Sequence, residues 1–184
     1  MKVLSNDIEK ILVSPEQIDE LTTRIAKQIT EDYKDSTKKL VLVCILKGSL
    51  LFTAELMKKL DIPVEVEFMK VSSYGVHTES TGVINIHVDL MRDDLDECNF
   101  ILVEDIVDSG RTFDHLIRYF IAKGAASVKT CTMLDKPSRR VVELVPDYIG
   151  VEIPDEFVVG FGLDYIEEYR NLPFVGVLKP EIYR

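Results

Sequence analysis

Residues 100–112 read FILVEDIVDSGRT, and this stretch decides the fold class. Its short apolar run, Phe100–Val103, is typical of a strand that is covered on both faces. The small polar residues that follow lead directly into a predicted helix. Backbone N–H groups of such a turn, together with the unpaired donors of the first helical turn, form a binding site for one phosphate. Gly110 permits close approach of the ligand, and the hydroxyls of Ser109 and Thr112 add donors.

Two carboxylates, Glu104 and Asp105, lie just before this turn. Such a pair accepts hydrogen bonds from two vicinal hydroxyls or reaches a hydrated Mg²⁺. A ribose carries vicinal hydroxyls, so the turn and the acidic pair together match a ribose 5-phosphate. The alternative is a solvated connection with an ordinary helix N-cap. The motifs GxxxxGK[ST] and GxGxxG are absent from the sequence, which argues against a nucleoside triphosphate or a dinucleotide.

Outward from this stretch, helices and strands alternate along the chain. Ser14 and Gln17 form a predicted capping box at the start of the first helix. Further helices are predicted over about Leu50–Leu60 and Phe113–Lys123, the latter closed by Gly124. The predicted strands cover 40–45, 64–70, 83–89, 100–103 and 128–134, with short ones near 148–152, 157–161 and 174–178. This order predicts an α/β fold with a mostly parallel twisted sheet flanked by helices.

The predicted sheet also locates the binding site. In open α/β sheets, ligands bind outside the carboxyl ends of the strands. Three loops should therefore meet in space: Lys47-Gly48 after the first strand, the 104–112 stretch, and Leu134–Arg140 after a later strand. The sequence thus predicts one composite site at this edge of the sheet.

Composition and charge exclude several classes of protein. The 184 residues suit one domain, and the formal net charge of −10 argues against nucleic acid as a partner. The longest apolar run, Leu40–Leu46, is far too short for a membrane span, and the N-terminus lacks the apolar stretch of a signal peptide. We therefore expect a cytoplasmic protein with no membrane partner. Cys44, Cys98 and Cys131 are too widely spaced to indicate a disulfide framework or a zinc site.

The stretch VEDIVDSGRT at 103–112 resembles the signature of the type I phosphoribosyltransferases. Four further stretches resemble those of one subfamily, the hypoxanthine-guanine phosphoribosyltransferases. They are ILKGSLLF at 45–52, VSSYG at 71–75, LDKPSRR at 134–140 and IPDEFVVGFGLDYIEEYRNLP at 153–173. This resemblance implies the type I phosphoribosyltransferase fold in a single domain, 1–184. It implies a core over about 35–145 and a small hood built from the terminal segments, about 1–15 and 146–184.

The resemblance also implies an activity in purine salvage. The 5-phosphoribosyl group would pass from 5-phosphoribosyl 1-diphosphate to hypoxanthine or guanine, giving IMP or GMP and pyrophosphate. Mg²⁺ is the implied cofactor, and a homodimer or homotetramer the implied assembly. By position, Asp108 would face N7 of the purine as general base, while Glu104 and Asp105 would hold the ribose hydroxyls directly or through Mg²⁺. The implied 5-phosphate site comprises Asp108, Ser109, Gly110, Arg111 and Thr112.

The remaining roles are carried over in the same way. Lys136 would donate to the 6-oxo group of the base, Phe157 would stack on its ring, and the backbone of Val158 would meet its edge. Asp164 would complete the base site and bind a second Mg²⁺. The implied pyrophosphate site comprises Lys47, Gly48 and Arg170, and the implied lid contains Ser73 and Tyr74 within 72–82. The Lys47-Gly48 loop resembles the one that contains a cis peptide bond in this family.

The residue chemistry leaves some alternatives open. Lys136 supplies a donor for an oxo group and ionised Asp108 an acceptor for N7–H, which favours a 6-oxopurine over adenine. Hypoxanthine, guanine and xanthine remain alternatives, and Glu156, which stands where some relatives have lysine, bears on that choice. The segment 153–173 argues against a pyrimidine as the substrate base. A regulator that keeps this fold and binds nucleic acid is the competing hypothesis, but it requires a basic surface and has no need of the base-contacting pair.

Overall fold

The computed structural model of the chain describes residues 3–73 and 84–183. The α-helices are α1 (Pro15–Tyr33), α2 (Leu50–Met57), α3 (Arg111–Ala122) and α4 (Pro180–Tyr183). The strands are β1 (Ile8–Val13), β2 (Lys39–Leu46), β3 (Glu65–Ser73), β4 (Ile84–Val88), β5 (Cys98–Val107), β6 (Ser127–Asp135), β7 (Tyr148–Glu152), β8 (Val158–Val159) and β9 (Val175–Leu178). Within the described ranges, no helix combines the length and apolar character needed to cross a membrane.

Six strands of the described ranges form the main sheet, in the order β4-β3-β2-β5-β6-β7. Strand β4 pairs with β3 in the antiparallel sense, and all other neighbours are parallel. The predicted α/β class with a mostly parallel sheet is therefore confirmed. Because β2, β5 and β6 are adjacent and parallel, the loops that follow them lie at one edge of the sheet.

A second sheet is built from both terminal segments. It is antiparallel and has the order β1-β9-β8. Val177 of β9 pairs with Lys10 of β1 on one side and with Val158 of β8 on the other. This small sheet is the hood that the resemblance implied. Strand β7 pairs with β6 instead, so the main sheet extends to Glu152, beyond the core boundary expected at about 145.

Helices cover both faces of the main sheet. Leu42 of β2 and Ile101 of β5 belong to the apolar cluster that includes buried residues of α1 and α2. Val43 and Phe100, which point to the opposite face, cluster with residues of α3. Strand β2 is buried from Leu40 to Ile45, as predicted for a strand between two helical layers. Burial of each such side chain stabilises the fold by about 1.5–3 kcal/mol relative to leaving it exposed.

The ends of the helices follow local sequence signals. Gln17 N donates to Ser14 Oγ at 3.3 Å, and Ser14 N donates to Gln17 Oε1 at 2.8 Å. The predicted capping box is therefore confirmed, with Pro15 at the first helical position. After α3, Gly124 has a φ of 89°, a left-handed conformation that glycine adopts without steric cost.

Strand β5 is longer than the predicted Phe100–Val103 segment. It spans Cys98–Val107 because its pairing with β6 continues to Val107. Helix α3 likewise begins two residues earlier than predicted, at Arg111. The acidic pair therefore lies within the end of the strand rather than after it. The turn between strand and helix, called the phosphate turn below, consists of Asp108–Gly110.

Candidate active site

The phosphate turn borders a cavity of about 190 Å³. The lining residues are Glu104, Ile106, Val107, Asp108, Ser109, Gly110, Thr112 and Phe113. Gly110 has a φ of 80°, which side chains other than glycine rarely permit. Because α3 begins at Arg111, the first turn of the helix and the positive end of its dipole lie at this cavity. Its composition and its place at a helix N-terminus suit one phosphate group.

The acidic pair, Glu104 and Asp105, shows strongly perturbed titration. Burial, followed by the neighbouring Asp105 carboxylate, raises the pKa of Glu104 well above its ordinary value. Burial also raises the pKa of Asp105 to about 6, although its carboxylate accepts a hydrogen bond from Ile106 N at 2.8 Å. Desolvation and mutual repulsion penalise two adjacent negative charges. A bound cation or a set of hydroxyl donors would relieve that penalty.

The donor set of the acidic pair fits Mg²⁺. This ion prefers oxygen ligands, keeps several waters and is held by one or two carboxylates together with substrate oxygens. Within 3–73 and 84–183, no group of three or more His, Cys, Asp or Glu side chains is arranged to hold a metal by itself. Glu104 and Asp105 would therefore hold Mg²⁺ only in combination with oxygens of a bound substrate.

A second cavity, of about 420 Å³, shares Ile106 and Asp108 with the first. Its other lining residues are Lys136, Arg139, Asp155, Glu156, Phe157, Val158, Leu163 and Tyr183. Lys136 is only 6% exposed; its Nζ donates to the Glu156 carbonyl at 2.9 Å and lies 3.6 Å from Asp108 Oδ1. A cationic donor and a carboxylate acceptor thus face the same cavity. A planar base with one oxo group and one N–H is complementary to that pair.

An aromatic group forms one wall of this base cavity. Phe157 remains 39% exposed, which is high for a phenylalanine next to a strand. It stacks on Tyr183 with ring centroids 4.5 Å apart and an interplanar angle of 16°. Tyr165 meets the Phe157 ring edge-on, at 5.6 Å and 89°. Val158 is buried in β8 and continues the same wall. The rings provide a flat apolar surface for a heterocycle.

The loop after β2 contacts both the acidic pair and the hood. Its cis peptide bond joins Leu46 to Lys47, at the start of the loop that resembles the cis-containing loop of the family. A Cβ atom on Gly48 would lie 1.6 Å from Asp105 Oδ2, and one on Gly162 would lie 1.9 Å from the Gly48 carbonyl oxygen. Glycine is therefore required at both positions for this close packing.

The predicted pyrophosphate cations form an ion-pair network on this side of the site. Lys47 Nζ lies 2.9 Å from Glu167 Oε2. Arg170 Nη2 lies 2.8 Å from Asp164 Oδ1 and 3.5 Å from Glu167 Oε1. Arg170 Nη1 also donates to the Gly162 carbonyl at 2.8 Å. Glu167 therefore bridges the two cations, and phosphate oxygens could take the place of these carboxylates.

The structure brings most of the predicted site residues together. Eight of them line the two adjoining cavities: Glu104, Asp108, Ser109, Gly110, Thr112, Lys136, Phe157 and Val158. Asp105 and Arg111 are not among the lining residues. Asp164, predicted to bind the base and a metal, pairs with Arg170 and accepts a hydrogen bond from Glu167 N at 3.0 Å. Ser73 is the last residue of β3, while Tyr74 and the rest of the predicted lid lie outside the described residues.

Gly162, Glu167 and Tyr183 take part in the site but were not identified from the sequence. The GFG spacing at 160–162 was a usable signal for Gly162, because glycines at alternate positions often mark close backbone approach. Glu167 and Tyr183 carried no local signal. Their roles depend on contacts with Lys47 and Phe157, which are distant in sequence.

A phosphate turn, an acidic pair and a base cavity at the carboxyl edge of a parallel sheet define a site of the phosphoribosyl-transferring class. Residues 12–166 match the family model of the phosphoribosyl transferase domain. The chain therefore belongs to the phosphoribosyltransferase family.

Relatives within that family are similar over nearly the whole chain. A hypoxanthine-guanine phosphoribosyltransferase of Streptococcus pneumoniae is 51% identical over 181 residues, which cover 98% of this chain and 99% of that protein. The crystal structure of a hypoxanthine phosphoribosyltransferase from Staphylococcus aureus has a TM-score of 0.93 at 42% identity and covers 100% of this chain and 98% of that one. The hypoxanthine phosphoribosyltransferase of Trypanosoma cruzi, in complex with the product IMP, has a TM-score of 0.89 at 39% identity and covers 96% and 97% of the respective chains.

Proposed function

We propose that the chain is a hypoxanthine-guanine phosphoribosyltransferase of purine salvage. It transfers the 5-phosphoribosyl group from 5-phosphoribosyl 1-diphosphate to hypoxanthine or guanine and releases pyrophosphate. The observation that carries this proposal is the adjacency of the two cavities, which share Ile106 and Asp108. One cavity suits a 5-phosphate and the other a 6-oxopurine, so a nucleotide can span both.

Each part of the substrate has a complementary set of residues. The 5-phosphate binds the N–H groups and hydroxyls of Ser109, Gly110 and Thr112, with Arg111 adding positive charge. Glu104 and Asp105 bind the ribose hydroxyls, directly or through Mg²⁺. The pyrophosphate replaces the carboxylate partners of Lys47 and Arg170 and meets the backbone at Gly48. The base rests on Phe157, with its edge toward the backbone of Val158.

The chemical step exchanges one bond at the anomeric carbon for another. A ring nitrogen of the purine bonds to that carbon while the bond to pyrophosphate breaks. Asp108 accepts the proton from the N7 position of the purine, and Lys136 donates to the 6-oxo group where negative charge accumulates. Positive charge develops on the sugar in the transition state, and the acidic pair stabilises it. When bound, Mg²⁺ supplies positive charge against the leaving pyrophosphate.

Two further roles follow from the family resemblance. Ser73 and Tyr74 are proposed as part of a lid that shields the activated sugar from water. Asp164 is proposed as the ligand of a second Mg²⁺, which would compete with Arg170 for its carboxylate. The proposed enzyme acts in the cytoplasm as a homodimer or homotetramer.

Pyrophosphate release with a panel of bases tests the proposed function. Hypoxanthine and guanine are expected to turn over with 5-phosphoribosyl 1-diphosphate and Mg²⁺, whereas adenine and uracil are not. Adenine presents an amine where the Lys136 ammonium needs an oxo group, so two hydrogen-bond donors face each other and that contact is lost. Xanthine in the same panel ranks the 6-oxopurines. Tight binding of the phosphoribosyl substrate without turnover of any base would refute the enzyme and favour the regulator.

Mg²⁺ dependence tests the role of the acidic pair. Asp105→Asn is expected to raise the Mg²⁺ concentration for half-maximal turnover at least about tenfold, since even outer-shell partners of a metal contribute that much to affinity. Glu31→Gln is the matched control, because that carboxylate lies on the exposed surface of α1 and pairs with Lys34. The measurement is initial rate against free Mg²⁺ in a chelator-buffered series. Equal Mg²⁺ requirements in both variants would contradict the assignment.

A further inference from the structure

Two carbonyl groups of the phosphate turn are tied to the segment that follows β6. Arg140 Nε donates to the Asp108 carbonyl at 3.1 Å, and Val141 N donates to the Ser109 carbonyl at 3.1 Å. In a trans peptide, the C=O and the following N–H point to opposite sides of the chain. Because both carbonyls point toward the segment after β6, the N–H groups of Ser109 and Gly110 point away from it. Both residues line the phosphate cavity, so these N–H groups are directed toward that cavity.

Arg140 is itself fixed by buried contacts. Its side chain is 12% exposed and forms an ion pair with Asp135, which is 5% exposed. Nη1 donates to the Leu144 carbonyl at 2.6 Å. Asp135 ends β6, where its backbone pairs with Val107 of β5 and Glu152 of β7. The planar guanidinium thus connects the phosphate turn to the main sheet and to its own loop, a task suited to its fork of fixed donors.

The stem of Arg140 also packs behind the phosphate turn. A Cβ atom on Gly110 would lie 2.8 Å from Arg140 Cδ and 2.8 Å from Val142 Cγ2. The charge of Arg140 is compensated by Asp135, and the residues that line the two cavities do not include Arg140. Arg140 therefore supports the anion site from outside and does not contact the ligand.

We propose that Arg140, anchored by Asp135, is a positioning residue for the 5-phosphate. It fixes the Asp108 peptide plane and thereby aims the Ser109 N–H at the phosphate. This inference rests on the proposed function, because it concerns the phosphate half of the same nucleotide site. Loss of Arg140 should therefore weaken binding of the phosphate group and leave binding of the base and ribose unchanged.

Binding of GMP and of guanosine, measured by titration calorimetry, separates these contributions. Arg140→Met is expected to weaken GMP binding about 10- to 100-fold, the cost of misdirecting a hydrogen bond to a charged group, and to leave guanosine binding unchanged. Arg24→Met is the matched control. Arg24 also donates to backbone carbonyls, those of Ile149 at 2.9 Å and Gly150 at 2.6 Å, but contacts neither cavity. Its loss should lower thermal stability without a selective effect on GMP.

A second variant keeps the test decisive if Arg140→Met does not fold. Arg140→Lys retains the stem and the charge opposite Asp135 but lacks the planar fork, so GMP binding should weaken to an intermediate degree. Equal losses for GMP and guanosine, or unchanged GMP binding in a folded variant, would overturn the positioning role. A wild-type protein that binds GMP no more tightly than guanosine would overturn the proposed function together with this inference.

Discussion

An Asp108→Asn enzyme is expected to turn over hypoxanthine and guanine about 10²- to 10⁴-fold more slowly, the range for loss of a general base. Asparagine keeps the shape of the side chain but cannot accept a proton. The Asp108 side chain is 48% exposed and its Oδ1 has no hydrogen-bond donor among the described residues, so a bound purine can reach the carboxylate. The substitution also removes the negative charge 3.6 Å from Lys136 Nζ. Steady-state kcat with saturating 5-phosphoribosyl 1-diphosphate measures the effect.

Asp114→Asn provides the control for this substitution. Asp114 lies on α3 and forms an ion pair with Arg118 at 3.0 Å, and it does not line either cavity. The same change from carboxylate to amide should therefore leave kcat within about twofold of wild type, since exposed helical ion pairs contribute only about 0.3–0.5 kcal/mol. If both variants retain wild-type kcat, Asp108 is not the general base.

Gly162→Ala is expected to reduce kcat/KM for 5-phosphoribosyl 1-diphosphate about 100-fold, the cost of an ångström-scale displacement in an active site. The new Cβ would lie 1.9 Å from the Gly48 carbonyl oxygen, a backbone atom that moves only if the whole loop moves. Gly48 in turn packs against the carboxylate of Asp105. The substitution should thus disturb the pyrophosphate loop and the acidic pair together.

Gly124→Ala separates the steric effect from the backbone effect. Gly162 and Gly124 have φ values of 101° and 89°, so alanine costs about 1–2 kcal/mol of conformational energy at either position. A Cβ on Gly124, however, meets no atom within 4 Å. Urea unfolding should show destabilisation in both variants, and kinetics should show the loss of kcat/KM in Gly162→Ala alone. Comparable kinetics in the two variants would show that contact with Gly48 is not required for catalysis.

Local sequence signals predicted the parts of the fold that depend on local physics. The capping box at Ser14 and Gln17 and the left-handed Gly124 are determined by side chains and backbone conformations within a few residues. The phosphate turn was identified for the same reason, because Ser109 and Gly110 lie between an apolar run and a helix. The family resemblance then supplied the roles of residues that local patterns could not assign.

The features that sequence analysis missed depend on distant contacts. Strand β5 continues through its two carboxylates because its pairing with β6 resumes at Ile106 and Val107, whereas polarity alone indicated a strand end. Glu167 acquires its place in the site from Lys47, 120 residues away in sequence. Tyr183 lines the base cavity and stacks on Phe157, which is 26 residues away in sequence. Such contacts follow from the assembled topology and leave no local pattern.

The ion pairs of the site have a consequence for its dependence on salt. Lys47 and Arg170 are paired with Glu167 and Asp164. A cation that is already paired with a carboxylate has few mobile counterions to release when a polyanionic substrate arrives. When the diphosphate binds, its oxygens replace the carboxylates as partners of these cations. The affinity for the diphosphate should therefore fall less steeply with ionic strength than the number of contacted phosphate oxygens implies. An acidic protein can in this way bind a highly charged diphosphate without presenting a basic surface.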